Sequence, residues 1–313
     1  MKKFEEIKLA SELDLKSFEK ERLKFRTKEI RRKVIVFSLA GILAIILAFI
    51  FLPKNWYYLF LSIFGISLSI WVLLSKKADN YKNYFKTIVL KNFFKQVDNS
   101  ILYEGLKMMA ASNFKKSGFL HGGYTYYYGN DYFYSKIDNI SFDFSDIYIK
   151  FGTGRYSQVI FDGKFFIIDI KRKIDAEIII LPNVLQKKMG QLGKTMQRNT
   201  WNGLDKQTCN NEEFNKEYII YSNTPEKISE TLSPRLQSLM LDLKSKHKHS
   251  FYLSFREGLM FLGISNKTNN LKADINKSLL KPDTYKQYYD YFNSNFELIK
   301  KIVTVVEQEK VKF

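Results

Sequence analysis

The sequence predicts an α+β protein carried on a two-helix membrane hairpin. Three observations predict it. Two uncharged runs of membrane length stand back to back, at 34–52 and 56–74. The hydrophobic period then changes from helical to alternating after Gly123. Helix signals return after Thr224 and run toward the C-terminal end, broken only by a second strand pair. Strands and helices segregated along the chain in this way indicate α+β rather than alternating α/β.

Composition narrows the class. The 313 residues are 45% hydrophobic and 26% charged, within the globular range. One cysteine, Cys209, excludes an internal disulfide, and three histidines beside it are too few for a typical structural zinc site. Fifty Lys and Arg against thirty-two Asp and Glu give a net charge of +18.

Residues 1–33 form a basic, amphipathic helical arm. Twelve Lys or Arg stand there against seven Asp or Glu, a net +5, with no Pro or Gly between residues 4 and 33. Asp14, Phe18, Arg22 and Phe25 give mixed helical spacing. The first span, Val34–Leu52, has nineteen uncharged residues, about 29 Å of helix against a hydrocarbon core of about 30 Å. Pro53, Lys54 and Asn55 turn the chain into the second span, Trp56–Leu74. A first span that begins after residue 33 and is followed at once by another does not read as a cleaved signal peptide.

Orientation follows from the flanks. Eight Lys or Arg lie among residues 19–33, and Lys76, Lys77, Lys82 and Lys86 follow the second span, while the turn holds Lys54 alone. The positive-inside bias places both termini in the cytoplasm, with Trp56, Tyr57 and Tyr58 at the outer interface and Trp71 near the inner one. Ala40, Ala44 and Ala48 form a small-residue stripe on the first span; Ser62, Gly65 and Ser69 form one on the second. Such stripes pack the two helices together or join protomers. Neither span carries an ionisable residue, and the short turn leaves no room for a pore loop. Arg31, Arg32, Lys33, Lys76 and Lys77 flank the hairpin where an anionic leaflet attracts cations most, so they are the candidate lipid contacts.

Residues 75–117 are expected as a helical stalk, helical over Tyr81–Gln96 and again over 103–115, and residues 118–313 as the α+β domain. Strands are expected at Ile140–Phe151, at Val159–Phe161 and Phe165–Ile168 joined by an Asp162-Gly163 turn, and at Glu177–Leu181. Their short connections suggest an antiparallel meander. A helix leading into a loop is expected over 183–211, then a strand at Glu217–Tyr221. Thr224-Pro225 and Ser233-Pro234 are helix starts. Ser250–Phe255 and Leu259–Ile264 form a hairpin about Glu257-Gly258, and a helix over Thr284–Glu307 closes the chain.

No motif announces a reaction. Gly190-Gln191-Leu192-Gly193-Lys194-Thr195 lacks the first glycine of a phosphate loop, since Lys188 stands there, and Gly152-Thr153-Gly154 reads as a turn. His247 and His249 flank Lys248 on a basic edge without a third ligand, and His121 sits in a glycine loop. Asp143 with Asp146, and Asp162 with Asp169, are carboxylates that no spacing fixes as an acid–base pair. No cofactor is expected, and dispersed lysines among evenly spread aromatics argue against nucleic acid.

Gly129-Asn130-Asp131-Tyr132, Ile140–Ser145, Val159–Phe166, Glu213-Phe214, Tyr218–Tyr221, Thr231-Leu232-Ser233-Pro234 and Leu253–Phe255 stand in one order over about residues 85–305. In that order they resemble the bacterial membrane proteins catalogued as domain of unknown function 3137. The chain departs from that pattern where a glycine shortly follows Asp-Tyr; here Phe133-Tyr134-Ser135 occupies the stretch. The resemblance implies architecture and a bacterial inner-membrane location, with no catalytic residue. It also hints at a LemA-type membrane protein as partner, because relatives are encoded beside such proteins.

The expected function is a multi-pass, inner-membrane scaffold or sensor whose cytoplasmic domain binds a membrane-protein partner or anionic lipid, with homo-oligomerisation open. The alternatives are a membrane-bound enzyme acting on lipid or envelope precursors and an accessory subunit of a transport or secretion assembly.

Overall fold

The computed structural model describes residues 4, 7, 12–51, 56–75, 79–170, 174, 176–183, 199–247, 249–265 and 271–308. Helix α1 (Glu12–Phe51) fuses the arm and the first span into forty continuous helical residues, about 60 Å long. Helix α2 follows (Trp56–Ser75). Among the described residues one helix is long and apolar enough to cross a membrane, Leu15–Ile50, and a shorter apolar stretch covers Phe60–Ile70. On α1 the small stripe Ala40, Ala44 and Ala48 is half-buried. On α2 the half-buried line is Ser62, Ile66 and Ile70, whereas Gly65 and Ser69 face outward. Residues 52–55 and 76–78 lie outside the described residues, as do Lys54, Lys76 and Lys77.

Helix α3 (Asp79–Tyr84) leads into a π-helical turn (Phe85–Leu90) and then α4 (Lys91–Val97). The wider π turn brings two adjacent pairs, Phe85-Lys86 and Val89-Leu90, onto the buried face. The helix expected over 103–115 is instead strand β1 (Leu102–Glu104) and a short α5 (Ala111–Lys116). β1 pairs with β2, so ladder hydrogen bonds override its helical spacing.

Long strands β2 (Tyr126–Ile137), β3 (Ile140–Phe151) and β4 (Gln158–Asp169) make the meander. β4 runs unbroken through Asp162-Gly163, correcting the expected hairpin there. Gly163 pairs with Ile147 on one side and Ser265 on the other, so ladders on both edges overrule local turn preference. The turn expected at Gly152-Thr153-Gly154 is present between β3 and β4, where Gly152 and Gly154 take φ of +82° and +56°.

The remaining strands are β5 (Ile178–Pro182), β6 (Thr200–Trp201), β7 (Leu204–Gln207), β8 (Tyr218–Ser222), β9 (Ser250–Arg256) and β10 (Leu259–Ser265). All ten join one antiparallel sheet in the order β1-β2-β3-β4-β10-β9-β5-β8-β7-β6. β5 therefore does not continue the meander: the β9–β10 hairpin inserts between it and β4. That hairpin turns at Glu257 and Gly258, with φ of +50° and +73° as a type I′ turn requires. The β6–β7 hairpin was not expected; the helix foreseen over 183–211 falls, from residue 184 to 198, outside the described residues.

Three further helices complete the unit: α6 (Glu212–Glu217), α7 (Ile228–Thr231) and α8 (Pro234–His247). Ser233 Oγ accepts from the Leu236 amide at 3.2 Å, so the Ser-Pro start is a true cap. Terminal helix α9 (Pro282–Gln308) lies over one sheet face, with Tyr285 on Phe93 of α4 and Tyr288 on Phe85 of the π turn. There Phe292 packs on Phe94, Phe133 and Phe144. On the opposite face Phe114 of α5 meets Phe161 and Phe165.

The arm is fastened to this unit. Arg22 donates to Glu19 at 2.9 and 2.6 Å and to the Ile275 carbonyl at 2.5 Å. Glu19 in turn accepts from the Leu279 amide at 2.8 Å and Ser278 Oγ at 3.1 Å. Phe25 packs on Tyr81 and Tyr84.

Candidate functional site

Two polar features stand out, one sealed in the sheet domain and one at the base of the apolar helix. The first begins at a β-bulge. Asn130 pairs with Asp146 and Phe133 with Phe144, so Asp131 and Tyr132 together face Ser145 alone. Asp131 takes φ of +56°, and the two bulge amides bond the Gly105 and Lys107 carbonyls at 3.2 Å each. Gly129 is required here, because a Cβ would stand 2.4 Å from the Asp146 carbonyl oxygen.

The bulge turns the Asp131 side chain inward. Its Oδ2 meets Lys86 Nζ at 2.5 Å and its Oδ1 accepts from Tyr103 OH at 2.6 Å. Burial raises the Asp131 carboxyl, opposed by the Lys86 ammonium and the Tyr103 hydroxyl. Asp146 lies beyond it on β3. Tyr291 OH donates to Oδ1 at 3.1 Å, while Oδ2 is shut from solvent with no hydrogen-bond partner among the described residues. Burial pushes Asp146 up to about 7, with the Lys164 ammonium pulling the other way. Lys164 Nζ stands 4.8 Å over the Tyr291 ring, and burial lowers its own pKa. Neither Asp131 nor Asp146 lines a cavity described below. The cluster's clearest effect is on folding and proton affinity.

The second feature is a cavity of about 530 Å³ between α1, α3 and the 273–275 segment. Lys28, Arg31, Arg32 and Lys82 are its cations; Phe25, Ile35, Val36, Tyr81, Ala273 and Ile275 supply apolar wall. Glu29, its one carboxylate, is paired with Lys33 at 2.7 Å. A larger, more open groove of about 820 Å³ continues along α1 past Lys16, Lys20 and Lys24. Of the five expected lipid contacts, Arg31 and Arg32 thus share a cavity and Lys33 is drawn to Glu29 beside it. Lys76 and Lys77 lie outside the described residues. Lys82 and Tyr81 were not foreseen there, since only the fold brings α3 beside α1; Lys28 joins them from one turn earlier on α1.

A third surface is aromatic. Tyr126, Tyr128, Phe151 and Tyr156 are exposed at the far end of the long strands; Tyr156 is 89% accessible. Tyr126 stacks on Tyr128 and meets Tyr148 edge-on. Asp143 accepts from Tyr132 OH and so is not set opposite Asp146 as a catalytic pair. His121 contacts Asn202 at 3.1 Å and packs on Trp201. Among the described residues no group of three or more His, Cys, Asp or Glu could hold a metal ion. Residues 190–195 lie outside them.

Residues 159–304 match the model of a family described as a protein of unknown function (DUF3137). The match covers β4 to α9 and leaves the Gly129–Tyr132 bulge upstream of it. No curated protein matches the chain, and no solved structure does.

Proposed function

We propose that this chain is a membrane-anchored scaffold or sensor. In this reading α1 and α2 form a hairpin across a bacterial inner membrane, both termini are cytoplasmic, and the α+β unit is held at the inner leaflet. The observation that carries it is the continuity of α1. Its first half is locked to the domain through Glu19 and Arg22, and its second half presents apolar side chains outward with no core to cover them, Phe49 being 82% accessible. A rigid helix joining a docked half to a lipid-facing half fixes the domain's height above the bilayer. α1 and α2 are in contact, and the basic residues flanking the two apolar runs favour this orientation.

Binding, rather than catalysis, is favoured by the exposed tyrosine strip, a residue type enriched at interfaces. The partner in this reading is a membrane protein, of LemA type if the family resemblance is followed, or a second copy of the chain. A photo-crosslinking residue placed at Tyr128 or Tyr156 in native membranes tests it. Discrete adducts at those positions and none at Lys300 are expected; diffuse or equal labelling at all three contradicts the reading.

A further inference from the structure

We propose that the cavity at the base of the apolar helix binds the phosphate of an anionic phospholipid, with the first acyl carbons against Ile35 and Val36. The inference rests on the membrane reading above and narrows the expected lipid contact to one cavity and one recognised group, the phosphate. Charge is the first argument. Lys28, Arg31 and Lys82, with Arg32 beside them, line a space whose one carboxylate, Glu29, is already paired with Lys33 at 2.7 Å. A guanidinium group matches phosphate oxygens in a planar, two-point geometry, so Arg31 in the lining favours that anion.

Position is the second argument. Arg31 precedes Val34, where the uncharged run of α1 begins, by three residues, an axial rise of about 4.5 Å. The cations therefore stand at headgroup depth while Ile35 and Val36 reach the hydrocarbon edge. A free phosphate would use the cations and leave the apolar wall idle, whereas a phospholipid uses both. Size is the third argument, because 530 Å³ falls within the roughly 300–1,000 Å³ of small-molecule sites. Preorganisation is the last. The walls are held together without ligand by the Arg22–Ile275 and Glu19–Leu279 bonds and by Phe25 on Tyr81.

The test uses the full chain in detergent, followed by native mass spectrometry with phosphatidylglycerol, phosphatidylcholine or inorganic phosphate added. Lys28→Gln/Arg31→Gln/Lys82→Gln is compared with the charge-matched Lys286→Gln/Lys300→Gln/Lys301→Gln on α9, and thermal unfolding confirms that both variants are folded. One phosphatidylglycerol per chain should be retained about tenfold more tightly than phosphatidylcholine, and the cavity variant alone should erase that preference. Inorganic phosphate should not compete. Equal retention of the two lipids, equal loss in the two variants, or full competition by inorganic phosphate would each overturn the proposal. Carbonate extraction separates the two levels. A wild-type chain that resists extraction yet shows no lipid preference removes the cavity proposal alone, whereas a chain released by carbonate removes the anchoring reading and the proposal together.

Discussion

Lys86 and Asp131 form an ion pair sealed inside the sheet domain, Nζ to Oδ2 at 2.5 Å, with side chains 1% and 0% accessible. The pair joins the π turn of one helix to the bulge of one strand, forty-five residues apart. Breaking one side leaves a buried charge without its partner, so Lys86→Met or Asp131→Leu should each cost about 3–5 kcal/mol of stability. Lys86→Met/Asp131→Leu together should cost much less than the sum. Denaturant unfolding of the four forms closes the cycle; simple additivity would show that the charges do not interact.

Asp146 should give stability a pH dependence of its own. Its folded pKa is raised from 3.8 to about 7, so its contribution is complete below pH 3.8 and is lost as pH rises toward 7. Asp146→Asn keeps the shape without the charge. It should leave the melting temperature unchanged near pH 4 and raise stability by about 1–3 kcal/mol at pH 8. An Asn variant whose effect is the same at both pH values would contradict this.

Gly129 and Gly65 should respond oppositely to alanine. At Gly129 the new methyl would clash with the Asp146 carbonyl and stand 2.8 Å from Ile147 Cδ1, so a loss of about 1–3 kcal/mol is expected. At Gly65 nothing lies within 4 Å, so the change should be neutral or stabilising. Equal effects in thermal unfolding would count against the bulge as described.

Arg22→Ala should release the arm. It removes three charge-assisted bonds, and hydrogen exchange should rise at Ile275–Leu280 while the central strands β3 and β4 stay protected. Glu19 is held below the ordinary carboxylate range, first by its hydrogen bond from Arg22. The clasp is therefore complete above pH 4.5 and should loosen as pH falls through the lowered pKa. Exchange unchanged in Arg22→Ala would mean that the arm is held elsewhere.

Much of this was readable in the residues. Alternation located β3, β9 and β10, and Ser233-Pro234 marked the start of α8, because these signals act within a few residues. Asp162-Gly163 misled, since a central strand paired on both edges suppresses its local turn preference. Asn202-Gly203 is the converse: a strong turn pair, with φ of +50° and +82°, overlooked because the polar stretch around it lacks alternation. Of the candidate lipid site, the local half was legible in Arg31 and Arg32. Lys82 and Tyr81 reach it only through tertiary packing. Lys86, inside the apolar face Phe85, Val89 and Leu90, was the available hint of a buried partner, yet nothing in the spacing pointed across to Asp131.

In the proposed reading the domain hangs from a membrane hairpin on the cytoplasmic side. Cysteine labelling in intact cells measures it most directly. In a Cys209→Ser background, a membrane-impermeant maleimide should label Lys54→Cys, between the two apolar runs of the sequence. It should leave Tyr156→Cys on the exposed end of the sheet untouched until the cells are permeabilised. Labelling at position 156 before permeabilisation, to the extent seen at position 54, would contradict the account.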